Sequence, residues 1–290
     1  MKLIILRTFI FLILLSGMQA CEKDVTRKVD LKVLNQLAIT AFISPQDTGI
    51  VVKLQRTQPA VGRQYTGDEL KIKNAVVKLS DGNQSLPLNY IEKQDSYHAK
   101  KTLLPIVAGK TYTLNVTTPN GWEASAVTTV PVIANISITG YKLNVKSDKF
   151  SGLKNILNFK WQDAPGQDNY YQTLAYRENK INSQIFQQTF NSRHEKDMYI
   201  TDKDHDGQEL ICIDKVHETS KPDNFQRPYK LHLLLLVTDK NYYLYHNSVI
   251  KQREADDNPF AEPVLIYTNI KGGVGVFAAY NLIEEIKVVN

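Results

Sequence analysis

Alternation of apolar and polar residues runs through the first half of the chain and predicts a series of short strands. In the KTYTLNV stretch at 110–116, for example, every second residue is apolar. Turn-forming residues separate these runs at roughly ten-residue spacing, which is typical of an antiparallel sandwich. Residues 36–135 are therefore predicted to form an immunoglobulin-like β-sandwich. Its predicted strands are LAITAFI (37–43), IVVKLQ (50–55), VVKLS (76–80), LPLNYI (86–91), KTYTLNV (110–116) and WEASAVTTV (122–130).

The second half has less regular patterning, and it predicts a β-rich domain over residues 136–290. Aromatic and apolar residues fall at helical spacing between Lys240 and Glu254, which predicts one amphipathic helix with an aromatic stripe in the core. The fold class is thus mainly β, with two β-sandwich-like domains and one helix near the C-terminus. The predicted strands here are ILNFKW (156–161), YYQTLAY (170–176), QIFQQTF (184–190), MYIT (198–201), LICI (210–213), YKLHLLLLV (229–237), PVLIYT (263–268), GVGVFAAY (273–280) and IEEIKVV (283–289).

Residues 1–20 are predicted to form a secretory signal peptide. Lys2 and Arg7 precede an apolar run at 8–15, which is much shorter than the roughly 20 residues that cross a bilayer. Cys21 follows the small residue Ala20, and the MQAC sequence resembles a bacterial lipobox. We therefore predict lipid attachment at Cys21 and a lipidated tether over residues 21–35. The lipid would anchor the protein to a membrane.

Charge and cysteine content narrow the possible functions. Removal of residues 1–20 takes away two basic and no acidic residues, which lowers the net charge from +5 to +3. No basic run or stripe is present, so we expect no nucleic-acid partner. The chain has two cysteines, and Cys21 is predicted to carry lipid. Cys212 then has no partner for a disulfide, and its apolar neighbours predict a buried thiol.

The DKDHDGQE stretch at 202–209 is the clearest candidate for a ligand site. Its three alternating aspartates and a glycine resemble the first half of a calcium loop. An EF-hand is excluded, because the twelfth position counted from Asp202 is Ile213 and strands are predicted on both sides. Two interpretations stay open: a hairpin turn, or a calcium loop that binds through Asp202, Asp204, Asp206 and the carbonyl of Gln208.

No catalytic residues are predicted. The HEKDM sequence at 194–198 lacks the second histidine of a zinc protease, and no G-x-S-x-G elbow accompanies the serines. A strand is predicted after the glycines at 272–275, so they are read as a tight turn and bulge and not as a phosphate loop. The Asp256–Asp257 and Glu284–Glu285 pairs leave a carbohydrate-active or other hydrolase as a lesser alternative.

Several segments together resemble a family of bacterial lipoproteins, domain-of-unknown-function family 4249. The strongest resemblance is in NPFAEPVLIYTNIKGGVGVFAAYN (258–281), which is similar to the C-terminal signature of that family. Glu22, Lys23 and Asp24 resemble the export tag of surface lipoproteins in Bacteroidota. Further similar segments, in chain order, are CEKDV (21–25), AGKTYTLNVTTPNGWEASAVTTVP (108–131), FKWQDAPGQDNYY (159–171) and ITDKDHDGQEL (200–210).

This resemblance implies a cellular location and a role, but no catalytic residues. Family members look like outer-membrane lipoproteins that are often encoded beside a TonB-dependent receptor. The resemblance therefore implies a lipid-anchored accessory or binding protein, exposed at the cell surface, that partners a TonB-dependent β-barrel receptor in substrate uptake. A structural or adhesive cell-envelope lipoprotein is the alternative function, and a periplasm-facing location is the alternative orientation.

Overall fold

The described part of the chain is built mainly from β-strands, and one long helix lies near its C-terminus. The computed structural model describes residues 35–59, 63–148, 152–219, 228–258, 260–262 and 264–290. The prediction of a mainly β fold with one helix is confirmed. The elements are β1 (Leu37–Ile43), β2 (Gly49–Arg56), β3 (Val76–Ser80), β4 (Ser85–Ile91), β5 (Ser96–Lys100), β6 (Thr111–Thr117), β7 (Glu123–Thr129), β8 (Ser137–Asp148), β9 (Gly152–Gln162), β10 (Tyr170–Ile181), β11 (Gln184–Ser192), β12 (Tyr199–Thr201), β13 (Glu209–Ile211), β14 (Lys215–Thr219), β15 (Tyr229–Thr238), α1 (Lys240–Asp256) and β16 (Val274–Val289).

The last strand, β16, connects the strands of the first and second halves of the chain. Hydrogen bonds link the strands in the order β13-β9-β14-β11-β10-β15-β16-β1-β2-β5-β4-β3-β6-β7, with β12 on β10 and β8 on β9. β16 runs antiparallel to β15 from Tyr280 to Val289 and parallel to β1 from Val274 to Ala279. The C-terminal strand is therefore a hydrogen-bonded neighbour of both halves.

Three clusters of buried apolar side chains fill the interior. The first lies among strands β1 to β7 and includes Tyr97, Tyr112 and Leu114. The second lies among β9 to β15 and includes Trp161 and Tyr171, which are both completely buried. The third packs under α1, and its members are Tyr199, Tyr242, Ile250, Val276 and Ala278, with Phe42, Met198, Tyr243, Tyr245 and Tyr280 at its margin.

The helix begins and ends close to the predicted bounds. Asp239 caps it by accepting a hydrogen bond of 2.8 Å from the backbone N–H of Tyr242. The prediction that its aromatic residues belong to the core is confirmed by the third cluster. Residues 241–250 are all at least partly buried, whereas Lys240 and most helix residues from Lys251 onwards are exposed. Among the described residues, no helix has both the length and the apolar character to span a membrane.

Several predicted strand limits were wrong. The PVLIYT segment is not a strand over residues 264–268, because side chains of α1 take its backbone N–H groups. Val264 donates to Gln252 Oε1 at 2.7 Å, and Tyr267 donates to Ser248 Oγ at 2.8 Å. The two strands predicted after Gly272 form one continuous strand, β16. Strands β5, β8 and β14 were not predicted, and a register shift between Ile138 and Gly140 breaks the alternation of β8.

The predicted domain boundary near residue 135 stays a prediction. The first cluster contains Val130, the second begins at Ile136, and this change coincides with the predicted boundary. Residues 35–58 and 65–290 nevertheless form one compact unit, in which Phe277 of β16 belongs to the first cluster. The immunoglobulin-like description of residues 36–135 likewise stays a prediction.

Candidate functional site

The predicted lipidation and export residues lie outside the described part of the chain. These are Cys21, Glu22, Lys23 and Asp24. Their roles therefore stay predictions from the sequence.

The aspartate loop connects β12 to β13, and it brings together only part of the predicted calcium ligands. Asp202 is buried, while Asp204, Asp206 and the side chain of Gln208 are exposed. Carboxylate oxygens of Asp202 and Asp206 lie within 4.8 Å of each other and of Asp163, which the sequence analysis did not identify. Asp204 is not part of this group; its φ of +68° places it at the turn.

Asp163 holds this loop against the end of β9. Its carboxylate accepts hydrogen bonds from the Asn169 amide at 3.1 Å, from the Tyr171 hydroxyl and from the Gly207 N–H at 2.8 Å. The side chain is only 1% exposed, so these donors compensate for its removal from water. The backbone N–H of Gly166 binds both carboxylate oxygens of Asp206, at 2.8 and 3.1 Å.

The group has the ligand chemistry of a calcium site but an incomplete ligand set. Calcium takes six to eight oxygen ligands, and three carboxylates supply only part of that number. The carbonyl of Gln208, one of the predicted ligands, accepts the backbone N–H of Asp163 at 3.1 Å. Burial raises the pKa of Asp202, and the nearby Asp163 raises it further. A cation would relieve the repulsion among these carboxylates, and calcium binding here stays a prediction.

The glycines at 272–275 form the predicted turn and not a phosphate loop, since strand β16 begins at Val274. Gly272 and Gly275 have φ angles of +80° and +108°. A Cβ atom added to Gly275 would come within 2.0 Å of the Ile39 carbonyl, and one on Gly272 within 2.1 Å of the Glu123 carbonyl. These glycines therefore let neighbouring backbones approach, which explains the glycine-rich segment of the C-terminal signature.

The structure does not bring the predicted carboxylate pairs together as acid and base. Glu284 and Glu285 point to opposite faces of β16: Glu284 contacts His232 Nδ1 at 2.6 Å, and Glu285 pairs with Lys287. Asp256 and Asp257 are exposed at the end of α1. Neither pair therefore has the arrangement of a catalytic acid and base.

Cys212 and the aromatic residues Trp161, Tyr170 and Tyr171 are mainly core residues. Cys212 is buried, as predicted, and burial raises the pKa of its thiol. Trp161 and Tyr171 lie in the second cluster, and the ring of Tyr170 lies 5.1 Å from that of Tyr243. These side chains form no exposed aromatic platform for stacking on a sugar.

A large concave surface on the described residues is a groove on one face of β1, β2, β5 and β4. Its volume is about 1110 Å³. The opposite face of these strands packs on the first cluster, so alternation turns every second side chain toward the groove. The larger apolar side chains of the groove are those of Phe42, Val51, Pro87, Ile91 and Leu103. We call this surface the β1–β4 groove.

The charged side chains of the β1–β4 groove are mainly basic. Lys53 and Lys100 are exposed, and neither has an ion pair within the part of the chain that the structure describes. The single acidic residue among the described lining residues is Asp47, whose carboxylate accepts the Tyr280 hydroxyl at 2.6 Å. Burial raises the pKa of Asp47. Sequence patterning could have identified these outward residues, but not the concave surface that they line.

The groove, the aspartate loop and the glycine turn all lie within the segment that matches a known family. The model of the family described as Domain of unknown function (DUF4249) matches residues 22–285. No curated protein matches the chain. The family match covers nearly all of the sequence and includes the C-terminal segment in which the resemblance is strongest. The chain therefore belongs to the DUF4249 family.

Proposed function

We propose that this protein is a lipid-anchored outer-membrane accessory that binds substrate and partners a TonB-dependent β-barrel receptor in its uptake. The observation that carries the binding role is the β1–β4 groove, with an apolar floor and two lysines that form no ion pair with any described residue. The signal peptide and Cys21 support the lipid anchor, and the family resemblance supports the receptor partner. Location on the cell surface is part of the proposal.

An exposed apolar segment after α1 supports the partnership. Phe260 and Leu265 are 94% and 93% exposed, which is unusual for two large apolar side chains so close in sequence. Such side chains are typical anchors of protein interfaces, because burying them in a partner removes apolar surface from water. We propose that they contact the receptor.

The lipid anchor is tested by replacing Cys21 in the source bacterium. We expect Cys21→Ala to abolish incorporation of a labelled fatty acid and to release the protein from the membrane fraction. Cys212→Ser is the matched control, and it should keep both the label and the membrane location. Labelling of Cys21→Ala at the wild-type level would contradict the anchor.

The receptor partnership is tested by affinity purification of the tagged protein in mild detergent. We expect a β-barrel receptor to be recovered with the wild-type protein and lost with the double variant Phe260→Ser, Leu265→Ser. A second double variant, Val76→Ser and Val288→Ser, removes apolar side chains that are 55% and 62% exposed elsewhere and should keep the receptor. Recovery of the wild-type protein without a receptor would favour the structural or adhesive alternative.

The orientation is tested by protease treatment of intact cells. A surface-exposed protein is degraded while a periplasmic marker stays intact. Protection of the full-length protein would place it on the periplasmic side of the membrane.

A further inference from the structure

We propose that the β1–β4 groove binds an acidic peptide in an extended conformation. This inference rests on the proposed function and deepens it, because it names the class of substrate that the groove takes. It is carried by the arrangement of side chains across the four strands, by the two lysines and by the distance between them.

The side chains on the groove face form rows that cross the strands. Antiparallel register places Val51 of β2 opposite His98 of β5, and His98 opposite Asn89 of β4. Phe42 of β1 lies opposite Val51 on the other side. This central row is apolar at one end and offers hydrogen-bonding groups at the other, which suits the side chains and backbone of a peptide.

The two lysines lie in rows on either side of the central row. Lys100 is opposite Gly49 on β2, and Lys53 follows Gly49 by four positions on the same strand and the same face. Strand geometry puts their Cα atoms about 14 Å apart, from about 3.4 Å per residue along β2 and about 4.8 Å between strands. The lysines therefore bracket the apolar floor around Val51.

An extended peptide has the same periodicity as the groove. In an extended chain, residues i, i+2 and i+4 point to one side, and residues i and i+4 are separated by about 13 to 14 Å. Two acidic side chains at i and i+4 can thus reach the two lysines, while the residue between them meets Val51 and Phe42. A basic peptide would bring like charges together at both positions, which is unfavourable.

The charge balance of the groove favours an anionic ligand. Lys53 and Lys100 have no carboxylate partner among the described residues, whereas Asp47 is hydrogen-bonded to Tyr280. The neighbouring Lys101 donates to the Pro45 carbonyl at 2.6 Å. Acidic side chains supplied by a peptide would complete these two ion pairs.

The experiment measures binding of labelled five-residue peptides to the full-length protein by fluorescence anisotropy at low salt. The test peptide is acetyl-Glu-Ala-Val-Ala-Glu-amide, whose glutamates and valine face one side when it is extended. The peptide acetyl-Lys-Ala-Val-Ala-Lys-amide reverses the charge, and acetyl-Glu-Glu-Val-Ala-Ala-amide keeps the charge but changes the spacing. We expect the test peptide to bind at least tenfold more tightly than either of the others.

Paired variants separate the groove from general surface charge. Lys53→Glu with Lys100→Glu should weaken binding of the test peptide at least tenfold. Lys142→Glu with Lys180→Glu changes the same number of exposed lysines outside the groove, and it should leave binding within twofold. All four lysines are exposed, so these variants are expected to fold, and their melting temperatures verify this.

Three outcomes would overturn the proposal: no binding of the test peptide up to millimolar concentration, equal binding of the lysine peptide, or equal losses in the two double variants. The receptor purification distinguishes these outcomes from failure of the proposed function. Loss of the acidic-peptide preference with the receptor retained rejects only the ligand class. Peptide binding without receptor recovery rejects only the partnership.

Discussion

His246 shows how burial sets the protonation of a single side chain. Its ring stacks between Phe42 and Tyr199, with ring centroids 5.5 and 5.1 Å away, and Tyr242 lies 4.4 Å from it. Its Nε2 is buried without a hydrogen-bond partner in the described residues. Burial in this aromatic cluster lowers the pKa of His246 to about 4. The neutral imidazole is therefore the form that the folded protein accommodates.

This shift predicts a loss of stability in mild acid. Unfolded histidine titrates near pH 6.5, so the unfolded state binds a proton first as pH falls from about 6.5 to about 4. The free energy of unfolding should therefore decrease through this window, and His246→Phe should make the decrease smaller. Urea unfolding of the wild-type protein and of His246→Phe at pH 7, 6, 5 and 4 measures this free energy. The raised pKa values of Asp47, Asp202 and Asp239 act in the opposite direction but equally in both proteins. Parallel pH profiles would contradict this assignment.

Asp163 provides the residue-scale test of calcium binding. We expect millimolar calcium to raise the melting temperature, because the ion would offset the repulsion among the three carboxylates. A tenfold excess over the dissociation constant corresponds to about 1.4 kcal/mol. Asp163→Asn should remove the calcium effect, and Asp204→Asn should keep it, since Asp204 is outside the group. A wild-type midpoint that calcium leaves unchanged would identify the loop as a hairpin turn only.

At the scale of elements, the start of β16 depends on glycine. Gly275 lies opposite Ile39 in the parallel pair of β1 and β16. We expect Gly275→Ala to destabilise the protein by about 3 kcal/mol or more, because the new Cβ would overlap the Ile39 carbonyl at a positive φ. Gly82→Ala is the matched control: its φ is +91°, but no atom lies within 4 Å of the new Cβ. Gly82→Ala should lower the free energy of unfolding by about 1 kcal/mol. Equal losses for the two variants in urea unfolding would mean that the overlap with the Ile39 carbonyl adds no cost.

The cap of α1 connects the helix to β7. Besides capping the Tyr242 N–H, Asp239 accepts hydrogen bonds from the hydroxyl of Thr128 and from the amide of Asn241 at 2.9 Å. We expect Asp239→Ala to lower the free energy of unfolding by about 2 kcal/mol, the upper range for a lost N-cap, because buried donors also lose their acceptor. Asp239→Asn keeps an acceptor and should cost less. Equal costs in chemical denaturation would mean that the negative charge, and not the cap, stabilises this end.

At the scale of the whole molecule, sharing of β16 predicts cooperative unfolding of the two halves. Trp122 packs on the first cluster, and Trp161 belongs to the second, so each half carries one tryptophan. We expect Trp122→Phe and Trp161→Phe each to unfold in urea with the same midpoint by fluorescence and by far-ultraviolet circular dichroism. Midpoints that differ between the two probes within either variant would support independent domains divided near residue 135.

The sequence predicted the strands best where one face is buried and the other meets water. LAITAFI coincides with β1, and VVKLS coincides with β3, because their side chains alternate between the core and solvent. It failed for the PVLIYT segment, whose apolar composition suits a strand but whose N–H groups are bound by Gln252 and Ser248 of α1. These partners belong to the preceding helix, 12 and 19 positions away, so the patterning of the segment itself could not reveal them.

The sequence by itself determined the mainly β class, the family resemblance and the predicted lipid attachment, because these depend on local periodicity and short motifs. Only the tertiary structure placed Asp163 beside Asp202 and Asp206, since Asp163 precedes both by about 40 positions. It alone joined β16 to both halves and arranged Lys53 and Lys100 around one groove. Such contacts depend on strand order and register, which long-range hydrogen bonds and core packing fix together.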